Sequence, residues 1–209
     1  MYHSGMSAML QKYTGGPVAC NAYLIRGAEG YVMIDAPLGA ADWLEKALPH
    51  GEKLLHLLIT HQHFDHVQGA AEVQRRTGCS VHAYTAHSRE LTLELLFGRE
   101  IEVSPFTVDD AFRGQTRADW GGLSWELCHI PGHSADGMAY LLPEAKAMFV
   151  GDILFAGGIG RTDFPGGSTS ALVRGIRQQL ISKGDGWTVY PGHGPQTSTE
   201  EERDTNPYL

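Results

Sequence analysis

The sequence predicts a mixed α/β protein in which β-sheets carry helices on their outer sides. Two observations lead there. Short apolar or alternating runs cluster early in the chain, and further along such runs alternate with segments of helical spacing. The chain of 209 residues, 42% hydrophobic, is long enough to bury a substantial core and is expected to form one domain over residues 1–209. No internal repeat, low-complexity tract or linker divides it.

Residues 22–25 and 31–34 flank Gly27-Ala28-Glu29-Gly30, and this predicts a hairpin. Residues 40–48 have helical spacing and stop at Pro49. Residues 56–60 read as a short buried strand, and 67–77 as a helix closed by Gly78. Another strand follows over 80–84, then a helix over 88–97 capped by Ser88 and ended by Gly98. Residues 123–130 alternate as a strand does, 138–142 and 147–150 form a strand pair, and 168–181 is a helix. A last strand over 187–190 runs into Pro-Gly-His-Gly.

Composition excludes several function classes. The formal charge is −8, and no block or stripe of Lys and Arg offers a footprint for nucleic acid. Cys20, Cys79 and Cys128 are too few and too scattered for a disulfide framework, so free thiols in a reducing compartment are expected. The first residues lack the basic and apolar regions of a secretory signal. Nowhere do about 20 apolar residues run uninterrupted, so no membrane span is expected. A cytoplasmic protein is the expectation.

The stretch Leu57–Gly69, LLITHQHFDHVQG, concentrates potential ligands where strand gives way to helix. Residues two apart share a side only in extended chain, so His61 and His63 can converge on one point there. Asp65 and His66 stand where the helix begins and can be aimed at a second point. Asp65 with Gln68 also fits a helix cap with its reciprocal partner, and a carboxylate can do both jobs. Three histidines and an aspartate within six residues point to metal, because imidazole and carboxylate suit zinc, iron and related cations. Three other loops add donors. His133 in IPGHS, Asp152 in FVGD and His193 in VYPGHG each follow the end of an apolar strand, with glycine alongside.

The set THQHFDH, PGHS, GD and PGHG, in that order, resembles the metallo-β-lactamase fold hydrolases, and the resemblance spans almost the whole chain. It implies an αββα sandwich: two mixed β-sheets face to face, flanked by helices, with metals at one edge. Carried over residue by residue, it implies that His61, His63 and His133 hold one divalent ion. Asp65, His66 and His193 hold another, and Asp152 bridges them. Zinc is the expected metal, with iron or manganese as alternatives. The remaining histidines, His3, His50, His56, His82, His87 and His129, match none of these motifs and are expected to be structural or exposed.

The implied chemistry is hydrolysis of an acyl bond. A metal can lower the pKa of bound water from 15.7 to about 7, and the resulting bridging hydroxide would be the nucleophile, oriented by Asp65. Thr60 and Asp136 are candidates for supporting the ligands, or for simple turn hydrogen bonds. Within the superfamily, GGIGRTDFPGGS and the ending GHGPQTSTEEERDTNPYL resemble the glyoxalase II group, which hydrolyses a glutathione thioester. True β-lactamases commonly carry a cysteine or another ligand at the Asp152 position. The 16 residues after His193 do not resemble the helical glutathione-binding domain of full-length glyoxalase II.

The expected substrate is therefore a small thioester or ester, with Arg161 and Tyr190 as candidate contacts. Arg161 has an alternative in a structural pair with Asp163. Rival readings are a single-iron persulfide dioxygenase, a hydrolase of lactones or other esters, and a metal-binding or signalling module without turnover.

Overall fold

The computed structural model describes residues 10–97 and 101–209. Two six-stranded sheets lie face to face. The first runs in the order β1 (Leu10–Gly15), β2 (Cys20–Arg26), β3 (Tyr31–Ile34), β4 (Leu54–Leu58), β5 (Ser80–Ala83) and β6 (Asp110–Ala111). Its first three strands are antiparallel neighbours, and β3 to β6 are parallel. The second sheet uses β7 (Arg117–Trp120), β8 (Leu123–His129), β9 (Met138–Leu142), β10 (Ala147–Gly151), β13 (Thr188–Pro191) and β14 (Thr197–Ser198). Its order is β14-β13-β10-β9-β8-β7, with only β10 and β13 parallel. A small β11–β12 pair (Leu154–Phe155, Gly158–Ile159) stands apart.

Strand alternation explains the layering. In β3, Val32 and Ile34 face the second sheet while Tyr31 and Met33 face outward, and all four are buried. A strand buried on both faces reads as a continuous apolar run rather than an alternating one. Three apolar clusters result. The middle one packs Ile25, Val32, Ile34 and Leu58 against Trp125, Tyr140 and Phe149 of the other sheet. On one outer side Leu44 of α1 (Ala40–Ala47) and Val73 of α3 (Ala70–Thr77) cover Leu24 and Leu57. On the other, Leu172 of α5 (Thr169–Gly175) and Ile176 and Leu180 beyond it cover Leu141 and Val150. Helix, sheet, sheet, helix is the expected αββα order.

Several predicted elements are shifted or broken. The 56–60 strand is shifted to Leu54–Leu58, and it ends early because the chain leaves the sheet there to build the histidine loop. The 67–77 helix comes in two pieces, α2 (Phe64–Val67) and α3, the second closed by left-handed Gly78. Asp65 lies inside α2 and not before it, so it caps nothing; no side chain caps that helix. The 88–97 helix stops after α4 (Arg89–Thr92), because Leu93 takes a left-handed φ of 56°. Ser88 accepts no capping bond there, and Gly98 lies outside the described residues. The 168–181 helix starts as expected, with the Ser168 hydroxyl accepting from Ala171 N–H. It widens to a π-turn over Ile176–Leu180. Its Gly175 lies so close to the sheet that a Cβ would come 2.5 Å from Ile130. A helix unforeseen in the acidic ending, α6 (Thr199–Thr205), is capped by Ser198.

Among the described residues, no helix is long and apolar enough to cross a membrane.

Candidate metal centre

Five strand ends feed one rim of the sandwich. After β3 stands Asp35, after β4 the loop with His61 and His63 leading into α2, and after β8 the loop with His133. Asp152 follows β10 and His193 follows β13. All seven expected donors meet there. The donor nitrogens of His61, His63 and His133 lie within 4.8 Å of one another, and so do the donor atoms of Asp65, His66 and His193. Asp152 reaches toward both groups. Its Oδ1 is 3.2 Å from His66 Nε2, while Oδ2 is 3.5 Å from His133 Nε2 and 3.6 Å from His193 Nε2.

Tight backbone makes this possible. A Cβ on Gly192 would fall 2.4 Å from Asp152 Oδ1 and 2.5 Å from His66 Cε1, so no other residue fits without displacing both.

Hydrogen bonds outside the cluster fix which nitrogens face inward. His133 Nδ1 donates to the Arg161 carbonyl at 2.8 Å, so its Nε2 is the bare nitrogen. The Thr60 hydroxyl donates to Asp35 Oδ2 at 2.7 Å, and it can therefore accept from His61 Nδ1 at 3.2 Å. His66 Nδ1 donates to the same Asp35 Oδ2 at 2.8 Å. The Nε2 of each ring is thus turned to the centre, the arrangement in which a carboxylate or hydroxyl behind a histidine sets its orientation.

These residues fit metal ions on three grounds. His66 Nε2 and Asp152 Oδ1 are buried without any hydrogen-bond partner, although they face each other. His63 Nδ1 lies 3.0 Å from His61 Nε2 and 2.9 Å from His133 Nε2, and one proton can serve only one of those contacts. Finally, Asp35, Asp65 and Asp152 are all buried beside histidines, a concentration of negative charge that a cation would offset.

The titration of the site follows the same logic. Burial and the neighbouring rings hold His61 far below its ordinary value and push His63 down to about 3. Burial also lowers His133. These three stay neutral and ligand-ready. Burial alone would raise Asp152, but His66, His193 and His133 hold it well below the usual carboxylate range. Asp65 is likewise lowered against burial by His66 and His193. His66 runs the other way: burial favours the neutral ring, yet the carboxylates of Asp152, Asp65 and Asp35 lift it well above 6.5.

Two residues at the site escaped the sequence reading. Asp35 accepts from Thr60 N–H, Thr60 Oγ1 and His66 Nδ1, yet in sequence it is one acid after an apolar strand. Cys20, at the start of β2, places its sulfur within 4.8 Å of the Asp65, His66 and His193 donors. Burial pushes this thiol up to about 12, so it is neutral.

Of the support candidates, Thr60 touches His61 directly. Asp136 instead accepts from Gln62 N–H and the Ser134 hydroxyl and so shapes the loop backbone. His129 stacks on Tyr84, His56 pairs with His82, and His87 packs on Phe106, all away from the donors. His50 is exposed, and His3 lies outside the described residues.

The pocket above the donors is lined by His63, Asp65, His133, Asp152, His193 and Arg161 on its polar side. Arg161 forms a two-pronged pair with Asp163 and lies 4.3 Å over the Phe164 ring. Tyr190 corrects the expectation of a substrate contact. Alternation in β13 turns it between the sheets, stacked on Phe149 at 5.0 Å and edge-on to Tyr23.

Comparison with known proteins gives a consistent picture. Residues 15–193 match the family model of the metallo-beta-lactamase superfamily. The chain is 32% identical over 199 residues to the probable metallo-hydrolase YqgX of Bacillus subtilis, covering 93% of this chain and 94% of that one. It is also 32% identical to the hydroxyacylglutathione hydrolase GloC of Haemophilus influenzae, covering 90% and 92%. Among solved structures, TTHA1623 in a di-iron-bound form aligns at TM-score 0.81 with 33% identity, over 95% of this chain and all of that one.

Proposed function

The chain belongs to the metallo-beta-lactamase superfamily of metallo-hydrolases, and from that premise we propose that it is a two-metal hydrolase cleaving small acyl thioesters. The observation that carries this reading is the position of Asp152, whose two oxygens face the two donor groups at 3.2 Å and 3.5 Å. A hydrolase gives both groups work. A single-iron dioxygenase would use two histidines and one aspartate and leave the rest of the set idle.

His61, His63 and His133 would hold one ion, Asp65, His66 and His193 the other, and Asp152 would join them. Bound there, the ions would supply a water acidified toward neutral pH and a Lewis acid for the substrate carbonyl oxygen. The chain's own residues contribute orientation. Asp35 and Thr60 lock the His66 and His61 rings with Nε2 inward. Asp65 is ionised at neutral pH and bonded to His193 Nε2 at 3.1 Å, which fixes its carboxylate where it can accept and relay a proton from the nucleophile.

Zinc is the proposed metal. The di-iron form of the TTHA1623 structure is the specific reason to keep iron as the alternative. The likeness to GloC, a hydroxyacylglutathione hydrolase, supports a thioester as the bond cleaved. Elemental analysis of purified protein, together with a panel of thioesters, lactones and a β-lactam, tests the proposal. Two metals per chain with preferential thioester cleavage is the expected result. One iron per chain with oxygen uptake would replace it.

A further inference from the structure

The pocket that opens onto the donors has a volume of about 460 Å³, within the range of roughly 300–1,000 Å³ usual for small-molecule sites. Beyond its polar floor, its walls are Val18, Leu93, Phe97, Phe155, Ile159 and Phe164. The aromatic members lie directly over the chemistry. Phe164 sits edge-on to His63 at 5.5 Å and to Phe97 at 6.0 Å, and Phe155 approaches His193 at 6.2 Å. Phe97 is 45% exposed, and Leu95 and Leu96 beside it are exposed at 71% and 60%. Phe97 thus stands at the pocket wall with nearly half of its surface exposed.

The charged side of the pocket points the same way. Asp65, Asp152 and the histidines are turned to the metal positions, and among the described residues Arg161 is the one Lys or Arg on the wall. Its guanidinium is engaged twice: Asp163 takes Nε and Nη2, and the flat face rests on Phe164. A substrate carrying free carboxylates, as a glutathione conjugate does, would find there one cation whose charge Asp163 already balances. An aryl or branched alkyl group would find a surface already shaped for it.

We propose that this pocket selects acyl substrates whose recognised portion is apolar and uncharged, held between Phe97 and Phe164, and that Arg161 braces Phe164 rather than gripping a substrate carboxylate. The proposal rests on the hydrolase reading for the word substrate, but the pocket assignment can be tested without turnover. Phe164 and Phe97 are specificity-determining residues under it. Both are partly or largely exposed, so their replacement leaves the core intact.

The experiment has a binding arm and a kinetic arm, both on metal-loaded protein. Calorimetry compares phenylacetate with acetate, two acids that share the carboxylate and differ in the apolar group. Phenylacetate is expected to bind at least about tenfold more tightly, and Phe164→Ala should remove most of that preference while leaving metal content unchanged. Equal binding of the two acids overturns the proposal.

The kinetic arm compares the phenylacetyl thioester of a small neutral thiol with S-lactoylglutathione. The first should show the higher kcat/KM, with Phe164→Ala raising its KM by about tenfold and Arg161→Met changing KM for S-lactoylglutathione by less than about twofold. Preference for S-lactoylglutathione, with a large KM increase in Arg161→Met and none in Phe164→Ala, overturns it as well. Selective phenylacetate binding that depends on Phe164, with no ester cleaved at all, sustains the pocket assignment and removes the hydrolase reading.

Discussion

Asp35 accepts the Nδ1 proton of His66 at 2.8 Å, with both side chains almost fully buried. The same carboxylate takes two more hydrogen bonds from Thr60, so one residue 31 positions upstream sets the ring that faces Asp152. Asp35 also holds a left-handed φ of 55°, a conformation Asn tolerates as well as Asp does. Asp35→Asn therefore alters the charge and leaves the backbone alone. Metal affinity should fall about 10–100-fold, with KM for any substrate nearly unchanged, as read by competition with a chelator and by steady-state kinetics. Normal metal affinity in this variant would reduce Asp35 to a packing role.

Replacing Asp152 with Ala removes the side chain shared by the two donor groups. Metal content should drop at both positions and hydrolysis should fall by at least about a hundredfold, measured by elemental analysis and thioester cleavage. Turnover near that of the native protein would end the two-metal assignment.

Metal uptake should release protons. His66 is raised well above 6.5 and His193 is raised as well, the first against burial by Asp152, Asp65 and Asp35, the second against burial by Asp65 and Asp152. Both shifts favour the protonated rings in the metal-free protein, and a cation must displace those protons. Apparent metal affinity should rise with pH through the histidine range. Calorimetric titration in two buffers of different ionisation enthalpy measures the number released, and a value of zero contradicts the arrangement.

His82 provides a pH test away from the centre. Burial, then its neighbour His56, lowers this ring from 6.5 to about 4. A histidine lowered on folding binds its proton more readily in the unfolded chain. Its contribution to stability is thus fully present above 6.5 and fades as pH falls toward 4. His82→Gln should flatten the loss of melting temperature between pH 7 and 5 by a few degrees without changing metal content. An unchanged slope would show that another group governs acid sensitivity.

Gly192→Ala is the steric counterpart. The added methyl would lie 2.4 Å from Asp152 Oδ1 and 2.5 Å from His66 Cε1. The variant should fold, since the backbone there lies on the rim, yet bind metal at least about tenfold more weakly. Unaltered binding would mean that the rim yields more easily than its packing implies.

The donors were legible in sequence because chemistry and local geometry coincide at them. His61 and His63 must be two apart in extended chain, and Asp152 and His193 must follow strands next to glycine. Asp35 offered no such signal: a single acid after a strand is common, and only tertiary contact with His66 gives it meaning. Cys20 was hidden for the same reason. Tyr190 looked like a site residue by proximity to His193, but strand alternation sends neighbouring side chains to opposite faces. Helix continuity was overestimated where packing intervened. Leu93 breaks the 88–97 segment and helps line the pocket, and the close seat of Gly175 on Ile130 precedes the π-turn. The four-layer order came from family resemblance; hydrophobic pattern alone gave sheets with helices outside, without the face-to-face pairing of two sheets.

The two halves of the sandwich contribute unequally to the rim: His61, His63, Asp65 and His66 come from the first sheet's side, and His133, Asp152 and His193 from the second's. Any ion bound there clasps the halves together, tying positions as remote in the chain as 61 and 193. Such a clasp works like a cross-link over a long loop, so catalyst and structural rivet become one object. Starvation for metal would then loosen the seam between the sheets at the same moment that it silences the chemistry.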